Sequence, residues 1–507
     1  MPELKPMLEL KGICKSFGNF KANDQIDLKI YPGEVHAVLG ENGAGKSTLM
    51  NIIYGMYQQD EGSIEKDGKT IYIKSPRDAM KYGIGMVHQH YMLVNVYSAA
   101  ENVFLMGNDP WWKLKNDNEI ESTLDELGKK YGLEVDVHSP IGKLSIGMQQ
   151  RIEILKLLYI GADLLILDEP TAVLLPQECN MLFDTIEVLV KHGKSIIFIS
   201  HKLDEVMHIS QRITVLSKGK VEGEMMTKNA DKSKIIKMMV GSDMEAPILE
   251  KKQFPDEKKE EVVRLKDVKA KDERGVSTLN GVSFSINKGE IVGIASMEGN
   301  GQAELAEVIT GVRKVESGKI YIRGTEISTI TAKDFIDNDI AYVPSDRNEV
   351  GTVKDFPIYE NWILRSKEPP KKHKLLDYLK IKEQTKKAID DYDVRTTGIN
   401  ARTGNLSGGN LQKLILAREL NKMPQAIVCS YPTRGLDIKA SWFIRAKVME
   451  MRDIGIGVLL ISGDMEELFA LADRLIVLYR GEVVAEVLPQ DVTVYDVGRM
   501  MMGVRES

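Results

Sequence analysis

The 507 residues are enough for two or more domains, and a composition of 43% hydrophobic and 28% charged residues is typical of soluble globular proteins. No apolar run approaches the roughly 20 residues of a membrane span, and the amino terminus does not resemble a secretion signal. Three widely separated cysteines do not form a disulfide or zinc pattern, and a net charge of −6 argues against a nucleic-acid partner. We therefore expect a cytoplasmic protein.

The first half of the chain alternates short apolar runs with helical patterns. EVHAVLG, DLLILDEP and SIIFISH, which begin at residues 34, 163 and 195, are each followed by such a pattern. This alternation predicts a mostly parallel sheet covered by helices, the α/β class. Functional loops are then expected where the strands end, at the carboxyl edge of the sheet.

A glycine-rich segment follows the first of these strands. GENGAGKST, residues 40–48, satisfies the phosphate-loop pattern Gly-x4-Gly-Lys-Ser/Thr between a strand and a helix. Backbone N–H groups and the positive end of the helix dipole favour phosphate there. Lys46 is predicted to reach the terminal phosphates of ATP, and the Ser47 hydroxyl to bind Mg²⁺. The predicted nucleotide-binding residues of this loop are Gly40, Glu41, Asn42, Gly43, Ala44, Gly45, Lys46, Ser47 and Thr48.

Two acids end the apolar run LLILDEP at residues 164–170. Asp168 is predicted to belong to the Mg²⁺ shell, and Glu169 to orient or polarise an attacking water. Taken alone, such a pair is more often a helix cap or a solvated turn. After a phosphate loop in the same domain, the catalytic interpretation is favoured.

The second half of the chain repeats the first. Gly33, Gly45 and Gly55 each recur 256 residues later, and KLSIGMQQRIEILK has a counterpart in NLSGGNLQKLILAR. Between the halves, APILEKKQFPDEKKEEVV is charged and contains two prolines, a linker composition. We predict a first domain at residues 1–245, a linker at 246–261 and a second domain at 262–507. One large domain is the alternative.

The order of four motifs resembles the ATP-binding cassette (ABC) ATPases. These are the phosphate loop, LSIGMQQR (144–151), LDEPT (167–171) and ISH (199–201). By this resemblance Gln89 belongs to the glutamine loop and is a third expected Mg²⁺ ligand beside Ser47 and Asp168. His201 is the switch histidine, and Phe17 stacks on adenine. Singly, Gln89 and His201 would more readily be structural. The resemblance implies two homologous domains, each with a mostly parallel sheet core, an antiparallel β part and a helical subdomain.

The same resemblance implies that two such domains face each other head to tail. Each nucleotide then lies between the phosphate loop of one domain and the signature of the other. The first loop would thus be completed by Ser407, Gly408 and Gly409 of LSGG, and by Asp437 of the following loop. Every expected residue type is present at this first site.

The other composite site is degenerate. Its positions are Ser296, Gly299, Gly301, Gln302, Ala303, Ser430, Tyr431 and Gly463, facing Ser145 and Gly147 of the altered first signature LSIGM. Neither the lysine, the Mg²⁺-binding hydroxyl nor the two acids remain, so we predict that this site does not hydrolyse ATP. Two alternatives stay open for its loop: phosphate binding through backbone N–H groups, or a purely structural turn.

One complete and one degenerate site together resemble the energising subunit of simple-sugar-type ABC importers. GMVHQHYMLV (85–94) and EGNGQAEL (298–305) resemble the branch that imports nucleosides. This implies an ATPase on the cytoplasmic face of the membrane with two transmembrane permeases, indirectly a solute-binding lipoprotein, and no nucleic acid. YMLVNVY (91–97) is a candidate docking segment, with core packing as the alternative. A ribose- or galactose-type importer and a soluble translation protein are the alternative functions.

Overall fold

The computed structural model describes residues 5–18, 20–41, 43–89, 91–106, 117–172, 174, 176–200, 202–240, 251, 260–327 and 331–503. The chain divides into two compact units, Met1–Glu245 and Ala246–Ser507. Asn42 and His201, both predicted site residues, lie outside the described residues.

In the first unit, the strands are β1 (Leu8–Phe17), β2 (Phe20–Ile30), β3 (Val35–Gly40), β4 (Glu61–Lys66), β5 (Lys69–Ile71), β6 (Ile84–Val87), β7 (Leu164–Asp168), β8 (Ser195–Ile199), β9 (Arg212–Ser217) and β10 (Lys220–Met226). Its helices are α1 (Lys46–Ile53), α2 (Pro76–Lys81), α3 (Ala99–Met106), α4 (Asp117–Tyr131), α5 (Ile146–Tyr159), α6 (Pro176–Lys191), α7 (Leu203–Ile209) and α8 (Lys232–Val240).

The main sheet of the first unit has the strand order β10-β9-β3-β8-β7-β6. Its strands are parallel except β10, which is antiparallel to β9. Strands β3, β7 and β8 are buried along their whole length, as expected for apolar runs covered on both faces. Strands β2-β1-β4-β5 form a separate antiparallel sheet. The predicted parallel core and antiparallel part are therefore confirmed.

In the second unit, the strands are β11 (Glu261–Lys271), β12 (Ser277–Asn287), β13 (Ile291–Ser296), β14 (Ser317–Ile322), β15 (Thr325–Glu326), β16 (Ile340–Val343), β17 (Lys371–Lys372), β18 (Leu375–Leu376), β19 (Ala426–Ser430), β20 (Gly457–Ile461), β21 (Arg474–Tyr479) and β22 (Glu482–Val487). Its helices are α9 (Gln302–Ile309), α10 (Ala332–Asp337), α11 (Ile358–Ile363), α12 (Tyr378–Asp391), α13 (Gly408–Leu420), α14 (Ile438–Asp453), α15 (Met465–Leu471) and α16 (Val494–Met501).

The main sheet of the second unit repeats the topology of the first. Its order, β16-β19-β20-β13-β21-β22, places each strand where its counterpart lies in the first unit. The antiparallel sheet β12-β11-β14-β15 is repeated as well. The predicted internal duplication is thus confirmed at the level of strand order. The short hairpin β17-β18 has no counterpart among the described strands of the first unit.

Helices α3, α4 and α5 pack together in the first unit, and α11, α12 and α13 do so in the second. Each set inserts a helical part between two neighbouring parallel strands, β6 and β7 or β16 and β19. In the described part of the chain, no helix is both long and apolar enough to cross a bilayer.

Candidate functional site

The glycine-rich loop lies between β3 and α1, as predicted. Strand β3 ends at Gly40, and Gly45 stands immediately before α1 in a left-handed conformation with φ of 99°. A Cβ atom at Gly45 would lie 2.3 Å from the carbonyl oxygen of Ala22, so no side chain fits. Asn23 is fully buried there, and its amide donates to the Gly45 carbonyl at 3.1 Å. Sequence reasoning missed Asn23, which fixes the loop from the neighbouring sheet.

The Lys46 ammonium is held inside this loop. Its Nζ donates to the carbonyl oxygens of Gly40 at 2.7 Å and Glu41 at 3.0 Å, and the residue is only 5% exposed. Burial lowers the pKa of Lys46, while the carboxylates of Glu169 and Asp168 oppose that shift. Because an anion would stabilise this buried cation, the loop is prepared for a phosphate group.

The two acids follow β7 at the same edge of the sheet. Asp168 ends the strand, and Glu169 adopts a left-handed conformation with φ of 48°. Its N–H donates to the carbonyl of Ile199 at the end of β8, 3.0 Å away. The Gln89 amide Nε2 donates to Glu169 Oε2 at 3.1 Å. The structure therefore brings together Gln89 and Glu169, which are 80 residues apart in the sequence.

The donor atoms near Asp168 fit Mg²⁺. Burial and the neighbouring Glu169 raise the pKa of Asp168 to about 6, against the opposing effects of Lys46 and a hydrogen bond with Ser47. A divalent cation would favour the ionised carboxylate, and hydroxyl, amide and carboxylate oxygens are its preferred ligands. Of the three predicted ligands, Ser47 contacts Asp168, and Gln89 contacts Glu169 instead. Within the described residues no cluster of three or more His, Cys, Asp or Glu side chains forms.

Phe17 is placed at the edge of the antiparallel sheet. It ends β1, is exposed, and packs edge-on against Tyr57 with ring centroids 5.3 Å apart. An exposed ring at the end of a strand suits stacking on a base. The predicted glycine positions Gly43 and Gly45 both have positive φ, and Ala44 is buried in the loop. Thr48 lies within the first turn of α1.

Sequence reasoning also missed Glu205, on α7. Its carboxylate accepts hydrogen bonds from Thr171, after β7, at 2.6 Å and from Ser200, after β8, at 3.1 Å. It therefore ties together the two loops that carry Glu169 and the predicted switch histidine. In the second unit, Glu467 accepts equivalent bonds from Thr433 and Ser462. The repeat itself was the available signal, since both acids recur in the same order.

The second unit retains the backbone of the loop without its chemistry. Ser296 ends β13, and Gly301 precedes α9 with φ of 99°, the value found at Gly45. A Cβ at Gly301 would lie 2.4 Å from the carbonyl oxygen of Thr278. Gly299 also has a positive φ, and Ala303 lies in the first turn of α9. Gly301 is therefore needed for close packing of the backbone and Gly299 for its positive φ, whether or not phosphate binds.

Side chains of the second unit occupy its own loop. Gln302, at the lysine position, is only 3% exposed; its Oε1 accepts from the Asn300 N–H at 3.1 Å. Its Nε2 donates to the Tyr431 hydroxyl at 3.2 Å. Tyr431 has φ of 48° and donates its N–H to Ile461, so it takes the place that Glu169 has in the first unit. The Gln302 side chain therefore bonds within its own unit at both ends of its amide group.

Other charges cover the Tyr431 ring. The Arg434 guanidinium lies 5.5 Å from the ring centroid and pairs with Glu298 at 2.7 Å. Ser430 ends β19 and is buried, and a Cβ at Gly463 would lie 3.6 Å from the Tyr431 ring. None of these groups supplies a cation at the lysine position or a carboxylate at the strand end.

The two signatures begin long helices. In the second unit, Ser407 and Gly408 are exposed at the start of α13, and the Asn410 amide donates to the Ser407 hydroxyl at 2.8 Å. Gly409 faces Asp437, which caps α14 through the Ala440 N–H at 2.7 Å.

In the first unit, the Ser145 hydroxyl instead accepts from the Met148 N–H at the start of α5, 3.3 Å away. A Cβ at Gly147 would lie 2.6 Å from the Glu178 carboxylate. Ser145 is exposed, as Ser407 is, so the two signatures differ in the carboxylate that lies against Gly147 and in the bond that the serine hydroxyl makes.

Comparison with known proteins assigns both halves to one family. Residues 23–172 and 279–434 match the family model of the ABC transporter. The chain is 42% identical to the guanosine import ATP-binding protein NupO of Bacillus subtilis, over 98% of this chain and 97% of that protein. It is 40% identical to the nucleoside import ATP-binding protein NupA of Lactococcus lactis subsp. cremoris, over 98% of each chain. It is also 40% identical to the glucose import ATP-binding protein TsgD13 of Haloferax volcanii, over 98% of this chain and 96% of that one.

Proposed function

The chain belongs to the ABC transporter family as an ATPase that energises solute uptake, and we propose that the solute is a nucleoside and that one of its two loops hydrolyses ATP. Two of its relatives are named for guanosine and nucleoside import, and the stretches 85–94 and 298–305 resemble that branch. The observation that carries the catalytic proposal is the grouping of Lys46, Gln89, Asp168 and Glu169 at one sheet edge.

The first loop binds the phosphates of ATP in this proposal. The Lys46 ammonium exchanges its hydrogen bonds to the Gly40 and Glu41 carbonyls for bonds to phosphate oxygens. The buried cation thereby gains an anionic partner. Backbone N–H groups from Gly43 to Ser47 and the amino terminus of α1 add donors. Asn42 contributes from the same loop, and Phe17 stacks on the adenine.

Glu169 acts on the attacking water, and Gln89 positions the Glu169 carboxylate. The bond from Gln89 Nε2 holds the Glu169 carboxylate at the edge where the terminal phosphate would lie. From there the carboxylate orients the attacking water and accepts its proton. Mg²⁺, held by Ser47, Asp168 and Gln89, would neutralise charge on the phosphates. His201 is proposed to sense the terminal phosphate from the end of β8.

The second loop does not turn over in this proposal, because Gln302 and Tyr431 replace the cation and the water-activating acid. Following the family resemblance, Ser407, Gly408, Gly409 and Asp437 complete the active nucleotide site in the assembled protein. Ser145 and Gly147 belong to the inactive one. The exposed position of Ser407 and its neighbouring glycines at a helix amino terminus supports their assignment to phosphate binding.

Partners and location follow from the importer class. We propose two transmembrane permeases and, through them, a solute-binding lipoprotein, which places the chain at the cytoplasmic face of the membrane. The candidate docking segment 91–97 supports this, because its apolar side chains are exposed: Met92 is 66% and Val96 76% exposed. The alternative of core packing does not apply to these two residues. Exposed apolar side chains next to one another are typical of protein interfaces.

The solute can be tested with the chain and its permeases reconstituted in vesicles. Nucleosides such as guanosine should enter when ATP is supplied on the cytoplasmic side, and Lys46→Ala should abolish this uptake. Ribose, galactose and glucose serve as competing solutes. If a sugar were taken up and nucleosides were not, the nucleoside proposal would be wrong while the ATPase assignment remained.

A further inference from the structure

The hairpin β17-β18 and the start of α12 form an exposed surface that the proposed function does not use. We call residues 371–382 the basic tip. They contain five lysines and one aspartate, in a chain whose net charge is −6. The lysines are Lys371, Lys372, Lys374, Lys380 and Lys382.

Apolar side chains stand among these lysines. Leu375 is 75% exposed and Leu379 is 83% exposed, and Leu376 and Tyr378 beside them are also exposed. Leu375 and Leu376 lie on β18, and Tyr378 and Leu379 begin α12, so apolar side chains are exposed on both elements of the basic tip. In the described part of the chain, Lys371, Lys372, Lys374 and Lys380 form no ion pair with an acidic side chain.

The basic tip is held firmly at its base. The Asp377 N–H donates to the Pro370 carbonyl at 2.8 Å, which closes the hairpin, and its carboxylate caps α12 through the Lys380 N–H at 3.2 Å. Tyr378 packs edge-on against Tyr359 with centroids 6.0 Å apart. The single acid of the segment is therefore engaged in capping, and the outward face is basic and apolar.

The two residues of the turn have a strained backbone conformation. His373 and Lys374 have φ of 50° and 70°, the left-handed region that Asn-Gly normally fills in such two-residue turns. A histidine and a lysine there are strained relative to that pair. The sequence thus places a lysine in the turn of the hairpin, where a glycine or an asparagine would be less strained.

The corresponding helix of the first unit has the opposite character. Helix α4 lies, like α12, between the first helix after the glutamine-loop position and the signature helix. It contains five acids and two lysines and follows no described hairpin. Helix α4 therefore differs from the start of α12 in the sign of its charge.

We propose that the basic tip binds the surface of a bilayer that contains anionic lipids. Lysine side chains are attracted to the negative surface of such a membrane, and neighbouring leucine and aromatic side chains enter the headgroup region. This inference rests on the proposed position of the chain at the membrane face. Each lysine near such a surface strengthens binding about fivefold, a weak contact that adds to the permeases without replacing them.

Vesicle sedimentation of the purified full chain tests the proposal without permeases or ATP. Vesicles of phosphatidylcholine with 30% phosphatidylglycerol should retain the chain at low salt, and pure phosphatidylcholine should not. Raising the salt to about 0.5 M should release it, because exposed charges are then screened. Since this binding does not depend on hydrolysis, its failure would leave the proposed function intact.

Two variants and a control locate the contact. Replacement of Lys371, Lys372, Lys374 and Lys380 by glutamine should weaken binding to the anionic vesicles at least hundredfold. Leu375→Ser with Leu379→Ser should weaken it about tenfold or more. The control replaces four exposed lysines elsewhere, which makes the same change in net charge: Lys29, Lys81, Lys191 and Lys220.

The control should bind like the unaltered chain. Equal losses in the control and the tip variant would show a general charge effect and overturn the proposal. Absence of binding to anionic vesicles would overturn it too. If, in that case, the tip variants impaired assembly with the permeases, the surface would be a protein contact instead.

Discussion

Tyr431→Phe removes one oxygen atom from the interior of the second loop and tests the view that this loop is satisfied by its own side chains. The substitution keeps the aromatic ring under Arg434 and leaves the backbone bond to Ile461 in place. It takes away the acceptor of the Gln302 amide. Its partner experiment is Glu169→Gln, which alters the residue at the equivalent backbone position of the first unit.

The expected loss follows from the burial of Gln302. Its Nε2 group has the Tyr431 hydroxyl as its hydrogen-bond acceptor at 3.2 Å, and the residue is almost completely inaccessible to water. Leaving a buried amide donor unsatisfied costs about 1–3 kcal/mol. For a unit of this size, each 1 kcal/mol lowers the unfolding temperature by about 2–4 °C. We therefore expect the unfolding temperature of the second unit to fall by several degrees.

Calorimetry and ATPase measurements on the full chain check this expectation together. Gln302→Leu combined with Tyr431→Phe should cost less than the sum of the single changes, with a coupling of about 1 kcal/mol. ATP turnover in the permease complex should stay within about twofold for each of them. An unchanged unfolding temperature in Tyr431→Phe, or a loss of turnover as large as that of Glu169→Gln, would refute the reasoning.

Four further outcomes are expected. Glu169→Gln should retain ATP binding but lose nearly all turnover, because the carboxylate that acts on water is gone; binding and hydrolysis are measured separately, and near-normal turnover would contradict its role. Lys46→Ala should abolish ATPase activity and uptake, and residual activity above a few per cent would argue against the first loop as the catalytic one. Ser407→Arg should abolish turnover and Ser145→Arg should be milder; equal losses in two folded proteins would remove the support for the proposed pairing of signatures and loops. Burial lowers the pKa of Lys422 to about 8 against 10.5 in the unfolded chain, so its charged form costs stability below pH 8 and the cost fades as the pH rises toward 10.5. The stability of Lys422→Met relative to the unaltered chain should therefore be greater at pH 7 than at pH 10, as calorimetry measures it, and a difference that did not depend on pH would contradict the cause.

Local patterns in the sequence predicted the parts of the site that are themselves local. The glycine spacing from Gly40 to Gly45 and the acids after a buried strand depend on the strand–loop–helix arrangement, which periodicity reveals. Gln89 was found by motif order, because nothing in its own neighbourhood indicates that it bonds to Glu169. Side-chain contacts of that range need the assembled sheet.

The contact between Gln302 and Tyr431 could not be predicted from the sequence either, because it too depends on the assembled sheet. The residues are 129 positions apart, and each seemed to be a separate loss of a catalytic group. Parallel strand order brings the ends of β13 and β19 to one edge, where the two replacements meet. The hairpin at His373 and Lys374 was missed because it lacks the glycine or asparagine by which such turns are recognised.

The matching backbone of the two loops makes the second one open to repair. Gly301 repeats the dihedral angle of Gly45, and Tyr431 repeats that of Glu169, so the main chain already has the shape that phosphate binding requires. Restoring the lost chemistry therefore requires new side chains without any redesign of the loop. The side-chain changes are Ser296→Gly, Gln302→Lys, Ala303→Ser, Ser430→Asp, Tyr431→Glu and Gly463→His. The second unit therefore offers a scaffold on which the phosphate loop that we propose to be inactive can be rebuilt.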